Sequence, residues 1–187
     1  MHSPAESLIV ALRKKTNRRS AISILIIAVV VSFLSTAPGV AGTLKVPEDD
    51  PAVSVDVPDS WKPESTDKGI ACESPDQVAT IFFEVTSAKE LDGLIDENID
   101  WLTKDQGVQV DKSSEQKKAF ETSNMKWSRI SWNATSKEWG PAVVGFVFAD
   151  AGGGKVLTVT YWITQKDQEK HFPTIEKIFE SVKRVGG

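Results

Sequence analysis

Alternating apolar and polar positions predict a chain that is rich in β-strands. A period of two, typical of strands that pack on at least one face, recurs between turn-forming residues. It occurs at residues 53–57, 70–72, 78–86, 108–111 running into 116–121, 125–134, 142–149 and 156–163. Because most connections between these runs are short, as at the glycine-rich turn 150–155, successive strands are expected to be antiparallel neighbours.

The first predicted helix lies in the middle of the chain, over residues 89–105. Its apolar residues follow the 3, 4 and 7 spacing of one helical face. Ser87 is suited to the N-terminal cap, and Gly107 to the end of the helix. The apolar stripe consists of Leu91, Leu94, Ile95, Ile99 and Leu102.

The second predicted helix closes the chain over residues 172–184. It follows the last strand directly, and the hydrophobic period changes there from two to that of a helix. Pro173 favours a start near Phe172, because a proline in the first turn gives up an N–H that has no partner within the helix. The pattern therefore predicts an α+β fold, a central antiparallel sheet of six or seven strands with helices near both 89–105 and 172–184.

Residues 1–41 have the outline of a secretory signal peptide. A basic cluster at 13–19 precedes an apolar run at 21–34, and small residues lead to a predicted cleavage after Ala41. The run is short for a segment that must cross about 30 Å of hydrocarbon. The alternative is a retained single-pass anchor, which would still leave the following domain outside the cytoplasm.

The remainder of the chain is predicted to be a linker and one domain. Residues 42–51 contain two prolines around three acidic residues and read as a linker. Residues 52–185 have the length of one ordinary domain with a full core. Cleavage would leave 17 basic and 25 acidic residues, a net charge of about −8. An acidic surface argues against nucleic acid as a partner.

Few residues after the predicted cleavage point are suited to catalysis. The only histidine is His171, which is expected at the start of the last helix, and the only cysteine is Cys72, which is expected to be a buried free thiol. A zinc site or a nucleophile–histidine arrangement would need partners that this spacing does not offer. We therefore expect no catalytic, cofactor-binding or metal-binding residues and no enzymatic activity.

Tryptophan gives the one positive indication of a contact site. Trp127, Trp132 and Trp139 lie within 13 residues, and Trp162 lies on the last long strand. Tryptophan serves both in cores and at binding hot spots. Trp127 and Trp132 are predicted on opposite faces of a strand, and Trp139 lies in a connection. Trp139 and Trp132 are therefore the candidate partner-contact residues.

Two short motifs resemble the Mog1/PsbP-like superfamily. The first is Val-Ser-Val-Asp-Val-Pro-Asp-Ser-Trp at 53–61, and the second is the closing helix that ends Lys-Ile-Phe-Glu-Ser-Val-Lys at 177–183. The order of elements matches that superfamily over nearly all of 52–185. The resemblance implies an α/β/α sandwich with roles in binding or assembly and without enzymatic activity, but it implies no particular site residue.

These patterns predict an exported, non-catalytic domain that binds a protein or an envelope component. The first alternative is a small-molecule binder with a pocket between sheet and helix, which would show an apolar cavity with converging polar groups. An enzyme is the less favoured third reading. Contact with a membrane is expected only through an uncleaved N-terminal segment.

Overall fold

The computed structural model describes residues 42–186. The predicted signal peptide over 1–41 lies outside these residues. The strands are β1 Gly42–Val46, β2 Val53–Val57, β3 Glu64–Thr66, β4 Gly69–Glu73, β5 Ala79–Ser87, β6 Gln109–Glu121, β7 Lys126–Ser136, β8 Gly140–Gly152, β9 Lys155–Thr164 and β10 Lys183–Arg184. The helices are α1 Leu91–Asp100, which continues as a π-helical turn over Trp101–Asp105, and α2 Gln168–Ser181.

Seven strands form one antiparallel sheet in the order β3-β4-β5-β9-β8-β7-β6. The hairpin β8–β9 turns at Gly153 and Gly154, both with positive φ, as the glycine-rich turn predicts. The bulge in β6 between Asp111 and Gln116 explains why the alternation is interrupted there. The predicted antiparallel sheet of six or seven strands is confirmed.

One face of this sheet is covered by α2 and by a second sheet of order β1-β2-β10. Ile178 and Phe179 of α2 are buried there, against inward-facing residues of β5 and β7 such as Phe83 and Trp127. The opposite face packs on α1, where Trp101 meets Phe82 edge to face. The two helices therefore lie on opposite faces, and the predicted sandwich is confirmed.

The structure differs from the predicted linker over 42–51 in its first half. Residues 42–46 form β1, which pairs antiparallel with β2 along its full length, and Val46 is fully buried. Leu44 and Val46 are the only alternating apolar positions of β1, which is too few to identify a strand. The short strands β3 and β10 contain no apolar residue, so no alternation marks them.

Both helices also differ from the predicted bounds. The α1 helix becomes π-helical at Trp101, where Trp101 and Leu102 are both buried. Ile99 of the predicted apolar stripe is 39% exposed, and Asn98 is buried beside it. The α2 helix begins at Gln168, so Pro173 lies in its second turn, and it ends at Ser181 because Val182 is extended and leads into β10. No helix within residues 42–186 is both long and apolar enough to cross a membrane.

Candidate functional site

A groove of about 910 Å³ separates α2 from the strands β6 to β9. Its floor is the face of the sheet that also carries the main core, and its wall is the outward half of α2. At one end Gln165 donates to Asn133 Oδ1 at 3.3 Å. At the other end the backbone N–H of Ser123 donates to Glu180 Oε2 at 3.1 Å. This volume lies within the range of small-molecule sites.

The middle of the floor carries two hydroxyl groups. Ser131 of β7 and Tyr161 of β9 are both Cα partners of Gly145, which lies between them on β8. A Cβ at Gly145 would lie 2.9 Å from the Tyr161 hydroxyl and 2.5 Å from the carbonyl oxygen of Ile130. Glycine is therefore required for the Tyr161 side chain to lie across β8 towards Ser131.

Burial raises the pKa of Tyr161, while the charge of Arg129 and the hydrogen bond with Ser131 lower it. Burial is the largest of these effects, so the phenol stays protonated at neutral pH. Because these two hydroxyls hydrogen-bond to each other, one hydroxyl proton of the pair remains to donate within the groove.

Two basic side chains lie beside these hydroxyls on the floor. Arg129 of β7 and Lys118 of β6 are Cα partners, and both line the groove. Within residues 42–186 neither forms an ion pair with a carboxylate. The Arg129 Nε atom is shielded from solvent and has no hydrogen-bond partner in the structure. The floor therefore carries positive charge that the described part of the chain does not neutralise.

The wall of the groove is largely apolar. Ile175 and Phe172 of α2 face Val143 and Ile163 of the sheet, and Phe120 lies towards the β6–β7 hairpin. Phe172 is 52% exposed and lies at the rim. An exposed phenylalanine beside an apolar groove is a common feature of a binding surface.

The wall is held in place at the start of α2 by a polar cluster. His171 Nε2 lies 3.0 Å from Asp76 Oδ1, and Lys170 also pairs with Asp76. Ser74 donates to Asp76 Oδ1 at 2.9 Å. The hydrogen bond from Lys170 is the largest of the effects that hold the pKa of Asp76 well below its usual range. His171, which is buried against Trp61, therefore fixes the start of the helix.

The candidate contact residues Trp139 and Trp132 both contact side chains on the α1 face of the sheet. Trp139 is half-buried and stacks on Trp162, with ring centroids 4.2 Å apart and planes 11° apart. Trp132 meets Phe146 edge to face on the α1 side of the sheet and borders the groove. Trp127 lies on the α2 side, as the odd spacing predicts. Partner contact by Trp139 and Trp132 stays a prediction.

The remaining chemical features of residues 42–186 are one cysteine and the metal-ligating side chains. Cys72 is a buried free thiol whose pKa is raised to about 12 by burial, and its Sγ contacts the carbonyl oxygen of Ile81 at 3.6 Å. No group of three or more histidine, cysteine, aspartate or glutamate side chains is placed to hold a metal ion in this part of the chain.

Sequence reasoning did not find the groove residues Arg129, Ser131 and Tyr161. They share one face of β7 and β9, but their side chains converge only because β8 brings these two strands together. One signal was present in the sequence. A tyrosine and an arginine occupy positions on the core-facing period, where an apolar residue is expected.

Comparison with known proteins identifies the fold. No protein-family model and no curated protein matches the chain. Cyanobacterial PsbP (CyanoP) from Synechocystis sp. PCC 6803 superimposes with a TM-score of 0.53 at 6% identity, over 82% of this chain and 98% of that one. The chain therefore has the fold of this PsbP protein, in agreement with the resemblance in its sequence.

Two further solved structures are similar at lower scores. LpqN of Mycobacterium tuberculosis, described as involved in cell envelope biogenesis, gives a TM-score of 0.48 at 12% identity, over 77% of this chain and 91% of that one. The Saccharomyces cerevisiae Ran-binding protein Mog1p gives 0.42 at 9% identity, over 76% and 95%.

Proposed function

We propose that this chain is a non-catalytic binding domain that acts outside the cytoplasm and holds a small ligand in the groove between β6–β9 and α2. The observation that carries this proposal is the groove itself. It combines an apolar wall with hydroxyl and basic groups that converge on its floor, which is the arrangement of a small-molecule site. The predicted signal peptide over residues 1–41 supports export.

A binding role fits the chemistry of the groove better than catalysis does. The floor presents hydrogen-bond donors and positive charge at Arg129, Ser131 and Tyr161, but the only histidine among the described residues, His171, is buried against Trp61 and bound to Asp76. A reaction by general acid–base catalysis needs a group that titrates near neutral pH within reach of the substrate. No histidine or cysteine, the side chains whose ordinary pKa lies nearest to neutrality, lines the groove in the described part of the chain.

An uncharged apolar fluorophore tests the proposal. N-phenyl-1-naphthylamine is titrated into the purified protein and its fluorescence is followed. Phe172→Ala removes an exposed side chain from the rim, and Ile99→Ala is the matched control, because Ile99 is an exposed apolar residue on the other helix. We expect the affinity to fall about tenfold for Phe172→Ala and to be unchanged for Ile99→Ala. Absence of saturable binding, or equal effects of the two substitutions, would contradict the proposal.

Contact with a protein or envelope component is the second candidate function. It is favoured by the partly exposed Trp139 ring, which Trp162 holds in place at the end of the β7–β8 hairpin. The test is an affinity pull-down from the native envelope fraction with the full chain, its Trp139→Ala variant and Lys137→Ala, an exposed control in the same turn. A partner lost with Trp139→Ala and retained with Lys137→Ala would support this role. A partner retained by both variants would contradict it.

A further inference from the structure

We infer that the groove takes a single-chain amphiphile with an oxyanion head, whose head pairs with Arg129 and whose tail lies along the α2 wall. This inference rests on the proposed function, and it names the chemical class of the ligand. It begins from an unsatisfied cation. Arg129 is half-buried and its Nε is inaccessible to solvent, yet that donor has no acceptor within residues 42–186.

A buried N–H donor without an acceptor is rare in folded proteins, and the desolvation of that one donor is left uncompensated. The guanidinium presents its donors as a planar fork that matches the two oxygens of a carboxylate or a phosphate. A bound oxyanion would therefore satisfy Arg129 where the protein itself does not. The other described arginine, Arg184, is already paired with Asp150 at 2.8 Å.

The surroundings of Arg129 favour an anion over a neutral group. Lys118 is its direct cross-strand partner and adds a second positive charge without a paired carboxylate. The Tyr161 and Ser131 hydroxyls lie on the same face, and the proton that is not used between them offers one further donor to an oxygen atom. The floor thus has two cations and two hydroxyls in one patch that spans the four neighbouring strands β6 to β9.

The three carboxylates that line the groove belong to α2 and to the β6–β7 hairpin. Glu121 forms an ion pair with Lys126, and Glu180 accepts hydrogen bonds from Ser123. Glu176 is on the helical wall and forms no ion pair with a described cation. The negative charge therefore lies along α2 and at the hairpin end, so the head of the ligand is expected on the strand side.

The remainder of the groove is suited to an apolar tail. Phe172 and Ile175 on the wall, with Val143 and Ile163 on the floor, form a continuous apolar lining beside the charged patch. Such a surface contributes through the apolar area that it removes from water. A head without a tail would leave this lining exposed, and a tail without a head would leave Arg129 unsatisfied.

The test compares ligands that differ only at the head. Decanoate, decyl phosphate and the uncharged 1-decanol compete with N-phenyl-1-naphthylamine for the purified protein. We expect the better of the two anions to bind roughly 10- to 100-fold more tightly than 1-decanol, as charge-assisted hydrogen bonds allow. The relative affinity of decanoate and decyl phosphate identifies the preferred head.

Arg129→Gln tests the residue, and Arg184→Gln is the matched control. The preference for the anion over 1-decanol is expected to fall towards 1 in Arg129→Gln and to persist in Arg184→Gln. Thermal melts of both variants confirm that they fold. If the fluorophore and 1-decanol bind but the anions have no advantage, the inference fails and the proposed function stands. If none of the compounds binds, both fail. A preference that survives Arg129→Gln would also overturn the inference.

Discussion

Asn98 provides a sharp test of how α1 is attached to the sheet. Its Nδ2 donates to Glu84 Oε2 at 2.9 Å and to Thr160 Oγ1 at 3.0 Å, so both of its protons bind the opposite layer. Glu84 is only 5% exposed, and burial raises its pKa above the ordinary value. The Asn98→Asp change keeps the shape of the side chain and places a second carboxyl against Glu84.

The size of the expected loss of stability follows from the proton that the two carboxyl groups must share in the folded variant. Two carboxylates at this separation do not both ionise, so the folded variant retains one proton at pH 7. Holding a carboxyl with an ordinary pKa near 4 protonated at pH 7 costs about 4 kcal/mol, at 1.36 kcal/mol per pH unit. The retained proton donates to the neighbouring carboxylate, so little more is lost from that bond. We expect Asn98→Asp to lower the free energy of unfolding by about 4 kcal/mol at pH 7.

The loss of stability in Asn98→Asp is expected to grow with increasing pH. The folded variant binds a proton that the unfolded chain releases above about pH 4, so its stability falls as the pH rises from about 4 towards the raised pKa of the pair. Near pH 4 the loss should shrink below about 1 kcal/mol. Urea unfolding, followed by tryptophan fluorescence at pH 4, 5.5 and 7, measures this. The exposed Asn124→Asp serves as the control, with a change below about 1 kcal/mol throughout. An equal loss for Asn98→Asp at all three pH values, or no loss at pH 7, would refute the reasoning.

Three further predictions concern the core and the start of α2. Phe179→Ala removes a buried ring whose centroid lies 5.0 Å from that of Trp127. We expect thermal or urea unfolding to show that the free energy of unfolding falls by about 3–5 kcal/mol, against about 0.5 kcal/mol for the exposed control Phe172→Ala. Because the pKa of Asp76 is held low in the fold, its ion pairs stabilise the protein above about pH 4 and this contribution is lost as the pH falls. Asp76→Asn should therefore lower the urea midpoint at pH 7, and its difference from the wild type should shrink as the pH falls below about 4; a difference that stays constant between pH 7 and pH 2 would count against it. The Cys72 thiol, with a pKa of about 12, should not react with a disulfide reagent in the native protein and should react after unfolding in urea. Rapid labelling of the native protein would show instead that the thiol is accessible.

Much of the fold was predictable because it depends on local periodicity. The strands β7, β8 and β9 and their connections follow from alternation and from the glycine-rich turn. The assignment of Trp127 and Trp132 to opposite faces needed only the parity of their spacing. The exposure of Ile99 was not predictable, because the buried face of α1 contains the polar residue Asn98, which a hydrophobic pattern does not select.

The candidate site was less accessible from the sequence. The groove depends on how far α2 stands from β6–β9, and no periodicity encodes that separation. The distant pair His171 and Asp76, which fixes the start of α2, joins residues 95 positions apart. Trp139 was a candidate because tryptophan is common at contact sites. Arg129 was not, because no pattern in the sequence shows that a charged residue in a strand lacks an ion-pair partner.

The most direct test of the central claim is amide chemical-shift mapping of the purified, isotope-labelled protein during titration with N-phenyl-1-naphthylamine. The account predicts that the largest shifts cluster on the floor of the groove, at Ser131 and Tyr161, and on its wall, at Ile175 of α2. Little change is expected along α1. Shifts centred on α1 or on the Trp139 turn, with none at Ser131 or Ile175, would contradict a ligand site between the sheet and α2.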